Sequence, residues 1–189
     1  MIDSNITKTS IAEALKLLCH GKGFEKITIK DISEKCGINR QTFYYHFHDK
    51  YDLLEWIYKT ELIDKYTLNI SFENWPERFR LLLTDMKNNK TFYINTITHT
   101  EDYMKSSMIF QAQQIFEQAI DSLDETNKVN KKERDFITKF FAYGVCGTII
   151  EWAESGMESS PEEICRNMTS MRDLCEKAAY NFINDNLSK

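Results

Sequence analysis

Between Arg40 and His46 the chain sets out a guanidinium, a carboxamide, a threonine hydroxyl, two phenols and an imidazole, broken only by Phe43. No nucleophile stands beside a base here, so the pattern is one of contact and not of bond breaking. Donors of this kind suit phosphate oxygens and base edges, while phenol rings can lie on sugars and thymine methyls. Phe43 and Phe47 are four apart and share one face of a helix, with Ile38 just before them. That face predicts docking against Ile32, Leu15 and the opening helix. Arg40, Gln41, Thr42, Tyr44, Tyr45 and His46 then occupy the opposite face. Two consecutive tyrosines cannot both enter one core, so at least one is expected in solvent. A helix of about Arg40 to Phe47 lies below the roughly 12 residues at which an isolated helix becomes stable in water, and needs a scaffold.

The scaffold is legible in the preceding residues. A first helix is predicted from about Thr7 to Cys19, with Ile11, Ala14, Leu15 and Leu18 on one side and Gly21 and Gly23 closing it. Thr28 followed three residues later by Asp31 is a capping-box start for a short helix Ile29–Cys36. Gly37 is its stop, and Asn39 is a favoured N-cap for the next helix. Helix, glycine turn, helix is the order of a helix-turn-helix. Asp49 reads as a further N-cap, with Asp52 at N3, for a long helix of about Lys50 to Tyr66.

The stretch "ITIKDISEKCGINRQTFYYHFHDKYDLLEWI" resembles the DNA-binding head of TetR-type one-component bacterial regulators, with a match over about residues 7–60. The carriers are the capping threonine, the "CG" turn, the aromatic-Tyr-aromatic-His-Phe run and the acidic-Lys step into the fourth helix. By that resemblance Gln41, Thr42, Tyr44, Tyr45 and His46 face a double-stranded DNA operator, while Lys30 and Lys50 approach phosphates. The resemblance also implies a homodimer and a C-terminal domain that senses a small-molecule effector.

Charge agrees with a local, not a global, attraction for polyanions. The formal net charge is −5, yet residues 1–50 carry eight basic and six acidic groups, leaving −7 on the remainder. A DNA-binding unit over 1–50 and a helical regulatory and dimerisation unit over 51–189 follow as the expected division. With two prolines and six glycines in 189 residues, few turns are available to build sheets, and an all-α fold is expected. The opening "MIDSNITKTS" lacks the pattern of a secretory leader, and no run approaches the roughly 18 apolar residues of a membrane span. A cytoplasmic protein without membrane contact is expected.

Catalytic and metal chemistry find no foothold. Cys19, Cys36, Cys146, Cys165 and Cys175 are odd in number, far apart and without a C-x-x-C, which suggests reduced, mostly buried thiols. His46 and His48 are two apart and point to different sides of a helix, so no shared metal is expected, and no cofactor. Cys19 and His20 are adjacent and diverge, and His99 stands alone in a polar turn. A rival reading, an all-α enzyme or an adaptor that binds no DNA, lacks the convergent residues an enzyme needs.

Beyond the head, helices are predicted from Pro76 through Met86, over about Lys90–Thr98 and Met104–Leu123, then about Lys131–Ser155 and Pro161–Asn184. "DETNKVNKKE" is the expected mobile loop. Trp56, Phe79, Leu82, Met86, Phe92, Tyr93, Phe110 and Phe116 are candidate walls of an effector pocket, against the alternative that they are core. Phe140, Tyr143, Gly144, Gly147 and Ile150 on the penultimate helix, with Met168, Met171, Cys175 and Phe182 on the last, are candidates for a four-helix dimer interface. "YGVCGTIIEWAESGMESSPEEI" resembles the C-terminal signature of a subgroup related to activators of dihydroxyacetone kinase operons. That resemblance implies a partner protein or transcriptional activation as alternatives to a ligand-released repressor.

Overall fold

The short helices of the head begin and end where their own side chains direct. In the computed structural model, which describes residues 2–71, 73–100, 102–123 and 129–187 and side chains within 5–122 and 129–174, helix α2 spans Ile29–Cys36. The Thr28 hydroxyl accepts the Asp31 amide and the Asp31 carboxylate accepts the Thr28 amide, a complete capping box. Gly37 takes φ +75, and the Ile38 amide reaches back to the Ser33 carbonyl at 3.0 Å. That closes a Schellman-type turn which a β-carbon would strain. Helix α3, Arg40–His46, starts at Asn39, whose side chain accepts the Thr42 amide at 2.7 Å.

Helix α1 runs Ile2–Leu18, starting before the expected Thr7. The polar run that suggested a late start is absorbed because Thr9 and Ser10 turn their hydroxyls onto the carbonyls of Asn5 and Ile6. Ile11, Leu15, Phe24, Ile27, Ile32, Phe43 and Phe47 are all buried together, so the predicted docking face of α3 holds.

Helix α4, Lys50–Tyr58, is capped by Asp49, which accepts the amides of Tyr51 and Asp52. The expected single helix to Tyr66 is interrupted by a π-turn, Lys59–Ile63, before α5, Asp64–Thr67. Leu54, Tyr58, Leu62 and Tyr66 are buried at a strict spacing of four. Such a series drifts by about 40° per step around an α-helix, and a wider turn brings it back toward one face. The Lys16 ammonium bonds Glu61 in this turn at 2.9 Å, tying it to α1.

The body continues with α6 (Trp75–Asn88, Pro76 in its first turn), α7 (Lys90–Thr98), α8 (Tyr103–Leu123), α9 (Lys131–Glu154) and α10 (Pro161–Leu187). No strand occurs among the described residues, and the fold is all-α. Helices α8 and α9 lie along each other, α7 packs on α9, and α6 packs on α10. Of the loop expected to be mobile, residues 124–128 lie outside the described residues. One continuous core runs from Ile11 in α1 to Ile164 in α10, so no gap in packing marks residue 50. No described helix is long and apolar enough to cross a membrane.

The "YGVCGTIIEWAESGMESSPEEI" stretch covers the second half of α9, the corner after it and the first turn of α10. Gly156 takes φ +77, and Met157, at φ +55, is buried beneath the corner. The Trp152 indole donates to the Ser159 carbonyl at 3.0 Å, and the Lys87 ammonium donates to the same oxygen at 2.9 Å. Pro161 then opens α10.

A candidate nucleic-acid interface

Helix α3 has two sides of opposite character because its seven residues are held by two rings. Phe43 and Phe47 are buried with centroids 5.9 Å apart, and Trp56 meets Phe47 edge-on at 5.8 Å. On the other side Arg40 and Gln41 are exposed, with Tyr44 at 56% and Tyr45 at 82% exposure. Both tyrosines therefore face water. Thr42 and His46 sit half-buried at the flanks. The Thr42 hydroxyl donates to Asn39 at 3.1 Å, which leaves its oxygen as an acceptor, and the imidazole of His46 is fixed edge-on to Tyr45 at 4.9 Å. Lys30 is exposed on α2, 3.7 Å from Glu34. A pair that open to solvent holds weakly and leaves the ammonium available to a stronger anion.

Lys50 departs from its expected place. Its ammonium donates to the carbonyls of Phe24, Glu25 and Ile27 at 2.9, 2.9 and 3.0 Å and lies over the Phe24 ring at 4.6 Å. All three N–H groups are thus used inside the head, and burial pushes its pKa down. In this structure the Lys50 ammonium serves the head's own backbone. Asp31 owes its depressed pKa first to the Lys22 ammonium at 2.6 Å and then to the Thr28 amide and hydroxyl.

The candidate pocket residues are not gathered around one space. Leu82, Met86, Phe92 and Tyr93 are buried in the common core. Trp56 belongs to the junction under α3, Phe79 packs half-buried against the core, and Phe116 stacks on Phe141 with centroids 5.6 Å apart. Phe110 lines an open groove of about 770 Å³ shared with Glu25, Tyr51, Glu55, Thr100, Asp102, Tyr103, Ser106 and Ser107. Tyr103 donates to Glu55 there at 2.9 Å, and burial pushes its pKa up to about 12.

The candidate interface residues on α9 form one stripe. Phe140, Tyr143, Gly144 and Gly147 are exposed along α9, Ile150 is half-buried, and a β-carbon on either glycine would meet nothing within 4 Å. Met171 is exposed and Met168 half-buried on α10, while the side chains of Cys175 and Phe182 lie outside the described residues. Phe136, at 69% exposure, continues the same α9 stripe at the spacing of four that the sequence already shows. The thiols of Cys19 and Cys146 are pushed up to about 12 by burial, which makes them unreactive. Among the described residues no group of His, Cys, Asp and Glu is gathered to hold a metal ion.

One polar residue that sequence reasoning passed over stands out. Asn95, in the middle of α7, bonds the backbone of the head at three points, and "KTFYINTIT" carries no signal for it.

Residues 11–57 match the family described as bacterial regulatory proteins, tetR family, and residues 73–173 match a transcriptional regulator C-terminal region of the same type. The HTH-type dhaKLM operon transcriptional activator DhaS of Lactococcus lactis is 26% identical over 148 residues, covering 77% of this chain and 79% of that protein. The solved structure of a dihydroxyacetone kinase operon activator DhaS superposes with a TM-score of 0.68 at 24% identity, over 88% of this chain and 93% of that one. Thermus thermophilus FadR, a repressor solved in complex with lauroyl-CoA, gives a TM-score of 0.60 at 14% identity, over 85% and 90% of the two chains.

Proposed function

We propose, from the premise that the chain belongs to the TetR family of bacterial transcriptional regulators, that it acts as a homodimer on a palindromic operator, with α3 in the major groove. As a family member it is a regulator and not an enzyme. The observation that carries the reading is the two-sided α3: buried Phe43 and Phe47 fix the helix, and Arg40, Gln41, Tyr44 and Tyr45 stand outward. Thr42 and Tyr44 read base edges and methyls, Gln41, Tyr45 and His46 flank them, and Arg40 and Lys30 hold phosphates. The exposed stripe of Phe136, Phe140, Tyr143 and the two glycines on α9, with Met171 on α10, supports a second copy as its cover. Regulation enters through the body by a small molecule or a partner protein. The similarity to an activator of a dihydroxyacetone kinase operon favours activation of transcription in the cytoplasm, next to the chromosome.

Selection of bound DNA from a random pool, followed by a spacing series, tests this. Two-fold related recognition helices enter successive major grooves about 34–36 Å apart or at a multiple of that distance. Thr42→Ala or Tyr44→Phe should flatten preference at one operator position by about 1–3 kcal/mol, while Lys30→Ala weakens every sequence alike. Equal affinity for an isolated half-site and the full palindrome overturns the reading.

A further inference from the structure

We propose that Asn95 is the positioning residue that sets how each head presents α3, and so fixes the operator spacing the dimer accepts; this rests on the dimer-on-palindrome reading above. Helix α7 is otherwise a body element, with Phe92, Tyr93, Thr96 and Ile97 buried and its packing made against α6, α8 and α9. The Asn95 side chain turns toward the head. Its Nδ2 donates to the carbonyls of Cys19 at 2.8 Å and Lys22 at 2.9 Å, and its Oδ1 accepts the Phe24 amide at 2.8 Å. Two carbonyls and one N–H leave a single orientation of the amide group that serves all three.

The three backbone groups belong to the turn that leaves α1 and leads into α2. This turn cannot satisfy them itself. Phe24 opens a short 3-10 turn whose N-cap, Gly23, offers no side chain, and the end of α7 lies so close that a β-carbon on Gly23 would stand 3.7 Å from the His99 ring. From the other side Lys50 of α4 holds the carbonyls of Phe24, Glu25 and Ile27. The next residue, Thr28, is the cap of α2, and α2 leads through Gly37 to α3. The backbone of residues 19–27 is therefore pinned by side-chain hydrogen bonds from α7 and α4, and the reading helix inherits its orientation from that clamp. Contact with DNA requires nothing of Asn95, which is half-buried away from α3. Its role is to make the two heads of a dimer rigid with respect to each other.

The test compares the parent chain with Asn95→Leu, similar in size but without polar atoms, and with Asn95→Asp, which keeps the acceptor and loses both donors. Affinities are measured on an isolated half-site, on the full selected palindrome and on palindromes with one base pair inserted or removed. Both variants should bind the half-site within about twofold of the parent and lose about tenfold or more on the palindrome, because apparent affinity scales with the fraction of heads held in the competent orientation. The penalty for altered spacing should shrink in both. Amide exchange on the parent chain supplies a readout that needs no variant: the Phe24 amide should be protected although it lies outside any α-helix. Equal losses on half-site and palindrome, an unchanged spacing penalty, or a freely exchanging Phe24 amide overturns the proposal. A parent chain with no preference for the palindrome overturns the dimeric reading itself, whereas a parent that prefers it and variants that keep that preference overturn this inference alone.

Discussion

Replacing Lys50 by methionine separates a phosphate anchor from an internal brace, and the two predict opposite readouts. Methionine keeps an unbranched apolar stem of similar reach and removes only the ammonium. In the structure that ammonium is shared by three carbonyls at 2.9 to 3.0 Å and faces the Phe24 ring. A hydrogen bond to a charged group contributes about 1.5–3 kcal/mol net. Three such bonds from one ammonium share a single desolvation cost, and water can reach the Glu25 carbonyl once it is vacated, so the loss is about 2–3 kcal/mol in all. For a chain of this size that corresponds to a fall in Tm of about 5–10 °C. Lys50→Arg recovers only part of it, because a planar guanidinium cannot aim three N–H groups at converging carbonyls as an ammonium can. Thermal and urea melts measure the stability, and DNA binding at several salt concentrations measures the anchoring. Removal of a phosphate contact flattens the plot of log K against log salt by about one unit. The brace predicts a lower Tm with the slope unchanged; a flattened slope with stability intact would refute the reasoning and restore Lys50 to the DNA surface.

Gly37→Ala should cost about 1 kcal/mol or more, read as a lower urea midpoint, since φ +75 is strained for a β-carbon although nothing lies within 4 Å of it. Gly147→Leu should raise helix content slightly, by about 0.8–1 kcal/mol of propensity, yet give a monomer by light scattering, and Met171→Glu should do the same through a buried charge; an unchanged dimer in both moves the interface elsewhere. The folded Asp31 carboxyl lies below its unfolded value of about 3.9, so the unfolded state binds more protons in that window. The stability Asp31 contributes is present above about pH 4 and lost as pH falls through the lower folded pKa, and Asp31→Asn should flatten that acid limb in melts from pH 2 to 5.

The head was legible because its instructions are local. Thr28 with Asp31, Gly37, Asn39 and Asp49 each act on groups within five residues, so residue types at fixed offsets name both the cap and the partner. The alternation of Phe43 and Phe47 with polar neighbours likewise settles which side of α3 is buried. What escaped reading acts at a distance. Lys50 reaches carbonyls 23 to 26 residues away and Asn95 reaches 71 to 76 residues back, and no spacing rule links such positions. The π-turn was half-visible: four buried residues at an unbroken spacing of four already strain an α-helical period, but only Tyr58 and Tyr66, apolar rings with polar tips, obscure the series. The candidate pocket walls were the hardest to read, because aromatic and aliphatic spacing cannot tell a wall from a filling, and Leu82, Met86, Phe92 and Tyr93 are buried in the core.

That filling bears on how a signal can reach α3. The core is continuous from α1 to α10, and the ties between head and body are short and polar as well as apolar: Lys16 to Glu61 and Asn95 to the end of α1. Tyr58, deep in α4, shares a 2.7 Å hydrogen bond with Thr96, one residue beyond Asn95 on α7. A head swinging freely about residue 50 would break the Lys16 and Asn95 ties at once. A packed interior changes by discrete repacking and not by gradual bending. On the function proposed above, a signal entering the body would have to displace α7 against α4 to reach α3, and Tyr58, Thr96 and Asn95 lie between them.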